Sequence, residues 1–303
     1  MQQSYRDYFK LGINHHLLFP ASFDSEEVHR LSLPEVLAYP EFEVIDLFVS
    51  AQADIAAEQI RQVRDSGRVP VYNCPLLNGP RLNPNSPDET IRNETVLAAV
   101  SHLQRAQAIG ARKAVIASGP NPGSAAQIAE QTDAFVDYVA KLCAAVPNLT
   151  LMIEPFDRSI GKNLLIGSTR EAAEVVRRVQ EMGIPNIGLL IDMGHVPLME
   201  ETFAQAVSDS SSYIRHVHLG SCVKNDPANP LYGDMHPPWG YPGGENDVPE
   251  LVEFMKALFA CGYLGAGNER QTVTLEMRPY PGRTERESVD IFLDKLEEAW
   301  RAM

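Results

Sequence analysis

The run TVTLEMRP (272–279) has the apolar character of a buried β-strand, yet it carries a carboxylate, Glu276. Three further runs combine an apolar strand pattern with one polar side chain near the C-terminal end: LTLMIEPFD (149–157) with Glu154, IGLLIDMGH (187–195) with Asp192, and IRHVHLG (214–220) with His218. Near-continuous apolar character is typical of strands that are covered on both faces, as in a parallel sheet. The four runs therefore predict neighbouring parallel strands.

Apolar runs and amphipathic helical stretches alternate along the rest of the chain. Four more strand candidates precede these runs, at 10–19, 43–51, 68–77 and 112–119. No Gly-x-Gly-x-x-Gly motif follows the first of them, which disfavours a dinucleotide-binding sheet. Eight consecutive βα units predict an α/β fold, a closed (β/α)₈ TIM barrel that residues 1–303 form as a single domain.

The charge balance and the lack of targeting signals limit the partners. The chain has 26 basic and 40 acidic residues, a net charge of −14, which disfavours binding to nucleic acid or anionic membranes. The N-terminal sequence lacks the apolar segment of a secretory signal, and no run reaches the ~20 apolar residues of a membrane helix. Four cysteines without a paired motif suit reduced thiols. We expect a cytoplasmic protein with a small-molecule partner; a homo-oligomer stays open.

The four polar strand residues form a candidate metal site. Alternate side chains share one face of a strand, so these four converge at the barrel mouth if their faces point inward: Glu154, Asp192, His218 and Glu276. Burying three carboxylates together is costly unless a cation neutralises them. Carboxylate oxygens with one imidazole suit Mn²⁺, Mg²⁺ or Co²⁺, whereas Zn²⁺ prefers more nitrogen or sulfur. The alternative is ordinary ion pairing, of Arg278 with Glu276 and of Arg158 with Glu154.

A long Pro/Gly-rich segment, residues 221–247, follows the seventh strand and would lie over the active face of a barrel. It supplies Trp239 as a candidate apolar wall for a sugar ring and His236 as a residue that could reach the site. Further candidates for substrate contact stand at strand ends: His15, His195 and Arg278. His216, one layer deeper than His218, is expected to be a core histidine.

These motifs resemble the xylose-isomerase-like TIM-barrel superfamily, specifically its sugar isomerase/epimerase branch, which includes ketose 3-epimerases. The resemblance rests on the Glu of LMIEPFD, the Asp and His of DMGH, the second His of HVHLG and the Glu of TLEMRP. It implies that Glu154, Asp192, His218 and Glu276 bind one divalent metal, Mn²⁺ first, and that His195 contacts substrate. Lys224 occupies a position where the better-known ketose epimerases have arginine, and it is a further candidate for substrate binding.

The resemblance implies an isomerase or epimerase that moves a proton through a metal-stabilised enediolate, with Glu154 and Glu276 as general acid and base. A metal-dependent lyase acting on an oxidised keto-sugar or glycoside would form the same enolate and is the runner-up. A nuclease and a non-catalytic metal-binding subunit are disfavoured by the charge and by the acid/base pair. Free and phosphorylated sugars both remain open as substrates.

Overall fold

The computed structural model describes residues 4–79, 81–267 and 269–303. Within these ranges eight parallel strands close into a barrel in sequence order, and β8 pairs with β1. The strands are β1 (Phe9–Asn14), β2 (Val44–Leu47), β3 (Val69–Asn73), β4 (Lys113–Ile116), β5 (Thr150–Ile153), β6 (Ile187–Asp192), β7 (Ile214–Leu219) and β8 (Gln271–Leu275). The predicted single-domain (β/α)₈ barrel is confirmed.

Helices surround the barrel and connect successive strands. They are α1 (His15–Leu18), α2 (Glu26–Leu37), α3 (Ala53–Asp65), α4 (Glu89–Ala108), α5 (Ala125–Ala145), α6 (Thr169–Glu181), α7 (His195–Leu198), α8 (Phe203–Ser210), α9 (Val248–Ala260) and α10 (Glu285–Ala302). Two short 3₁₀ turns lie at Tyr5–Asp7 and Pro20–Phe23. None of the described helices combines the length and the apolar character that a membrane crossing requires.

The barrel has a small apolar interior in addition to the large core between strands and helices. This inner cluster is Val44, Val71, Val115, Met152 and Leu190. Gly12 keeps β1 close to its neighbours, because a Cβ at this position would lie 2.4 Å from Oγ1 of Thr274. Met152 and Leu190 precede Glu154 and Asp192 by two residues, so the polar side chains lie above an apolar layer, at the C-terminal mouth.

The long segment 221–247 is folded against this mouth. Asn246 Nδ2 donates to the carbonyl oxygens of Met193 (3.2 Å) and Gly220 (3.0 Å), which follow β6 and β7. Trp239 Nε1 also donates to the Gly220 carbonyl, at 3.3 Å, and the Trp239 side chain is fully buried. These contacts hold the C-terminal part of the segment against the barrel mouth.

Candidate metal and substrate site

The structure brings the four predicted ligand residues together. Glu154, Asp192, His218 and Glu276 each offer one donor atom, and these atoms all lie within 4.8 Å of one another. All four residues are buried. Strand register explains part of this arrangement, because Asp192 of β6 is aligned with His218 of β7, and His218 with Thr274 of β8. Successive strands thus place these side chains at similar heights.

Polar atoms that lack a hydrogen-bond partner indicate whether this set of residues suits a metal ion. Asp192 Oδ2, His218 Nδ1 and Glu276 Oε2 are buried and have no hydrogen-bond partner among the described residues. The last two atoms are 2.5 Å apart, but not in hydrogen-bond geometry. Buried polar atoms without partners are rare and costly. A divalent cation would satisfy all three, so the donor set fits one, with oxygen predominating over nitrogen.

The alternative of simple ion pairing is excluded for the two arginines considered. Arg278 Nε donates to the carbonyl oxygen of Met235 at 2.8 Å, not to Glu276. Arg158 pairs with Glu171 at 2.9 Å and donates to the Leu165 carbonyl, not to Glu154. Neither guanidinium therefore compensates the buried carboxylates of the ligand set.

A second layer behind the candidate ligands was missed by the sequence reasoning. Asp46 on β2 is fully buried, and its Oδ2 lies 2.9 Å from Nε2 of both His218 and His216. Thr274 Oγ1 donates to the other carboxylate oxygen at 2.7 Å. Asp46 could have been found by the same pattern as the candidate ligands, because it is a carboxylate inside an apolar run, EVIDLF (43–48). His216 is buried, as expected of a core histidine.

Asn14 is the second residue that the sequence reasoning missed. Its Nδ2 donates to Oε1 of Glu276 at 2.7 Å, while its Oδ1 accepts from the backbone N–H groups of His16 and Leu17 at the start of α1. One side chain therefore caps a helix and orients a candidate ligand. The cap holds the amide in place, and this leaves Glu276 Oε2 to face the other donors.

The two glutamates have different proton affinities. Burial raises the pKa of Glu154 to about 8, against the lowering effect of His195. Burial would also raise the pKa of Glu276, but the imidazoles of His218 and His236 outweigh it and lower that pKa to about 2. Without a bound cation, Glu154 therefore favours its protonated form near neutral pH and Glu276 its ionised form. A pair of carboxyl groups with separated pKa values is suited to acid and base roles.

Segment 221–247 contributes Asp234 and His236 to the same site. Asp234 Oδ1 accepts from Nε2 of His195 at 3.0 Å and from Nε2 of His236 at 2.7 Å. Lys162 approaches Asp234 Oδ2 at 3.3 Å. Burial opposes the shift, but the Asp234 carboxylate raises the pKa of His236 to about 9. His236 was a candidate from its place in the loop, whereas Asp234 had no distinguishing sequence signal.

A cavity of about 520 Å³ opens above the ligand set. Its size lies within the range of small-molecule sites. Two cationic side chains, Lys162 and Arg278, and the two glutamates contribute polar groups to its wall. The apolar part of the wall is formed by Leu17, Phe23, Phe48, Leu76, Val115 and Phe156. The cavity thus has polar groups beside the candidate ligands and an apolar side.

Not every predicted contact residue reaches this cavity. His195 and Arg278 line it, but His15, Lys224 and Trp239 are not among its described lining residues. His15 is enclosed under α2, where its Nε2 contacts Ser32 Oγ at 2.7 Å; its neighbour His16 lines the cavity instead. Lys224 turns toward the Pro197 carbonyl (3.5 Å), and Trp239 is buried as an anchor of the long segment. These positions correct the three expectations.

Comparisons with known proteins agree with this fold. A family model described as xylose isomerase-like TIM barrel matches residues 37–295. A D-psicose 3-epimerase from Ruminiclostridium cellulolyticum is 26% identical over 137 residues, which are 45% of this chain and 39% of that protein. A crystal structure of a D-tagatose 3-epimerase-like protein has a TM-score of 0.70 at 17% identity, with 97% of this chain and 99% of that chain covered. A 3-keto-D-glucoside 4-epimerase from E. coli has a TM-score of 0.65 at 14% identity, with 97% and 99% covered.

Proposed function

Because the chain belongs to the xylose isomerase-like TIM-barrel family, we propose that it is a metal-dependent epimerase or isomerase of a small sugar or keto-sugar. The observation that carries this proposal is the buried ligand set with its three unpartnered atoms, which includes two glutamates that can serve as general acid and base. The similar proteins whose names specify ketose or keto-glucoside epimerases support the substrate class.

In the proposed mechanism Glu154, Asp192, His218 and Glu276 hold one divalent cation, with Mn²⁺ as the first choice and Mg²⁺, Co²⁺ or Zn²⁺ as alternatives. When bound, such a cation polarises a carbonyl group and stabilises the negative charge that develops on its oxygen. Glu276, ionised and oriented by Asn14, accepts the proton from the carbon next to the carbonyl. Glu154, the other glutamate of the set, returns a proton to the reacting carbon, which gives the epimer or the isomer.

Substrate binding is assigned to the cavity wall. Arg278 lines the cavity two residues beyond Glu276, so its guanidinium is suited to a polar group remote from the reacting carbon. His195 also lines the cavity and positions Asp234. The apolar side, which includes Phe48 and Phe156, would pack against the carbon face of the sugar.

Hydrogen exchange with solvent tests the proposed function. D-psicose, D-tagatose and D-fructose are incubated with the protein in D₂O, and deuterium incorporation next to the carbonyl is followed by NMR. We expect incorporation that a chelator abolishes and added Mn²⁺ restores. Glu276→Gln should lower the exchange rate about 10²- to 10⁴-fold. Exchange that persists in this variant at the wild-type rate would exclude Glu276 as the base.

The second candidate function is a lyase that eliminates a group β to the ketone of an oxidised glycoside. The apolar side of the cavity lies beside the two glutamates and could accept an aglycone, which supports this second function. The proton-abstraction step is the same and only the leaving group differs. A panel of 3-keto-glycosides assayed for aglycone release separates the two functions: release without formation of an epimer indicates the lyase.

A further inference from the structure

Segment 221–247 delivers one imidazole nitrogen to the site that the mechanism above does not use. Nδ1 of His236 is buried and lacks a hydrogen-bond partner in the described part of the chain. It lies 3.8 Å from Asp192 Oδ2 and 3.9 Å from Glu276 Oε2. These separations are too long for hydrogen bonds. A ligand oxygen within hydrogen-bond distance of Nδ1 would therefore lie beside both carboxylates.

The other ring nitrogen of His236 is already engaged. A carboxylate oxygen only accepts hydrogen bonds, so Nε2 of His236 donates to Asp234 Oδ1. The same oxygen accepts from Nε2 of His195, whose Nδ1 faces the carbonyl oxygen of Pro155 at 3.2 Å. Both nitrogens of His195 thus have acceptors within the protein. Of these two histidines, His236 is the one with a nitrogen left for the cavity.

The backbone at His236 is held in an unfavourable conformation. Its φ is +49°, in the left-handed region that residues other than glycine adopt uncommonly. The surrounding structure maintains it, because the His236 carbonyl accepts from the backbone N–H of Arg278 at 2.8 Å, two residues beyond Glu276. Strained residues cluster at functional sites, where the surroundings over-determine their conformation. This backbone hydrogen bond and the Nε2 contact with Asp234 hold the ring beside Asp192 and Glu276.

We propose that His236 binds a substrate oxygen through Nδ1 and that Asp234 is the positioning residue that holds its ring; this rests on the proposed function and deepens it. The ligand class is a small compound with adjacent oxygen atoms, such as a hydroxy ketone. Either protonation state serves, since an N–H donates to a carbonyl oxygen and a lone pair accepts from a hydroxyl group. His236, on segment 221–247, thus makes the substrate contact that the sequence led us to expect of His195.

Geometry favours a substrate oxygen over a metal ion as the partner of His236. The donor atoms of the four-residue set lie within 4.8 Å of one another, and His236 is not part of that set. His236 belongs to a second group of donor atoms within this limit, with Asp192 and His195, but both nitrogens of His195 already have acceptors within the protein. The four candidate ligands lie at the ends of barrel strands or directly after them, whereas His236 comes from segment 221–247 and lines the cavity.

The test uses the Mg²⁺-loaded protein with ¹⁵N-labelled histidine, and glycolate as a probe with two adjacent oxygens. The signal of His236 is assigned by its absence in His236→Asn. We expect its Nδ1 resonance to move when glycolate is added. Asparagine is the matched variant, because it tolerates a positive φ and carries a polar group close to the position of Nδ1. His236→Ala should bind glycolate about 10-fold more weakly, His236→Asn less so, and both should keep one metal per chain.

Asp234→Asn tests the positioning role separately. We expect the metal content to be retained and the two ¹⁵N shifts of His236 to change, because the ring loses the carboxylate that accepts from its Nε2. A merely structural role would leave these shifts unchanged. The proposal is overturned if glycolate does not bind the Mg²⁺-loaded wild type, if His236→Ala binds glycolate as the wild type does, or if either His236 variant loses the metal. Failure of the proposed function looks different: glycolate moves the His236 signal, yet no ketose exchanges hydrogen with solvent.

Discussion

Nε2 of His218 donates a hydrogen bond to Oδ2 of Asp46 at 2.9 Å, across the barrel from β7 to β2. The carboxylate can only accept, so it fixes the proton of His218 on Nε2 and leaves Nδ1 as a lone pair among the other donors. A carboxylate behind a histidine ligand is a common way of orienting the ring and raising its basicity. The buried acid of β2 is therefore part of the site, although it does not line the cavity.

The first prediction concerns this carboxylate. Asp46→Asn should weaken metal affinity about 10- to 100-fold, because an amide cannot accept hydrogen bonds on both of its terminal atoms. Competition with a chromogenic chelator measures the affinity. Asp65→Asn, at an exposed carboxylate of α3, is the control and should bind metal as the wild type does. Unchanged affinity in Asp46→Asn would show that His218 needs no such support.

A second prediction concerns the glycine after β7. A Cβ at Gly220 would lie 3.0 Å from Asp192 Oδ1 and 3.4 Å from His236 Nδ1. Gly220→Ala should therefore displace the Asp192 carboxylate and reduce metal affinity and turnover, while the barrel remains folded. Metal content by elemental analysis and far-UV circular dichroism distinguish these outcomes. Gly183→Ala is a poor control because Gly183 has a positive φ, whereas Gly79→Ala adds a Cβ with no heavy atom within 4 Å.

The third prediction compares two cationic residues, Arg278 and Lys224, that were both expected from the sequence to contact substrate. Arg278 lines the cavity, whereas Lys224 turns to the Pro197 carbonyl. Arg278→Ala should raise KM about 10- to 100-fold, as the loss of a charged hydrogen bond to substrate does. Lys224→Ala should stay within about twofold of the wild type. Steady-state kinetics on the ketose that exchanges fastest gives both values, and a large effect at Lys224 would contradict its placement.

A fourth prediction is a pH dependence of stability. Burial lowers the pKa of His15 from 6.5 to about 3. Between these values the unfolded chain binds a proton that the folded chain does not, so the free energy of unfolding falls as the pH decreases. The slope from His15 is up to about 1.4 kcal/mol per pH unit. Burial also lowers the pKa values of His16 and His29, which adds to the effect.

Urea unfolding of the chelator-treated protein from pH 4.5 to 7 measures this slope. His15→Gln should show a shallower dependence on pH than the wild type. The matched control is His102→Gln on α4, a less buried histidine, which should change the slope less. Equal slopes in the wild type and in His15→Gln would mean that His15 titrates alike in the folded and unfolded chains.

The sequence predicted the barrel and the convergence of four polar side chains at its mouth, because both follow from local patterns. Strand periodicity places Glu154, Asp192, His218 and Glu276 on inward faces, and parallel strands bring their C-terminal ends to one mouth. The same reasoning could have found Asp46, whose run has the same signature. It could not find Asn14 or Asp234, because a capping asparagine and a loop aspartate are ordinary in sequence.

The sequence by itself therefore determined the barrel, its closing order and the polar ends of its last four strands, since these depend on spacing along each strand. Only the tertiary structure decided that His16 rather than His15 faces the cavity, that Trp239 anchors a loop, and that Lys224 turns away. The physical reason is that side-chain direction in an irregular segment depends on contacts with distant residues. No periodicity in the chain encodes those contacts.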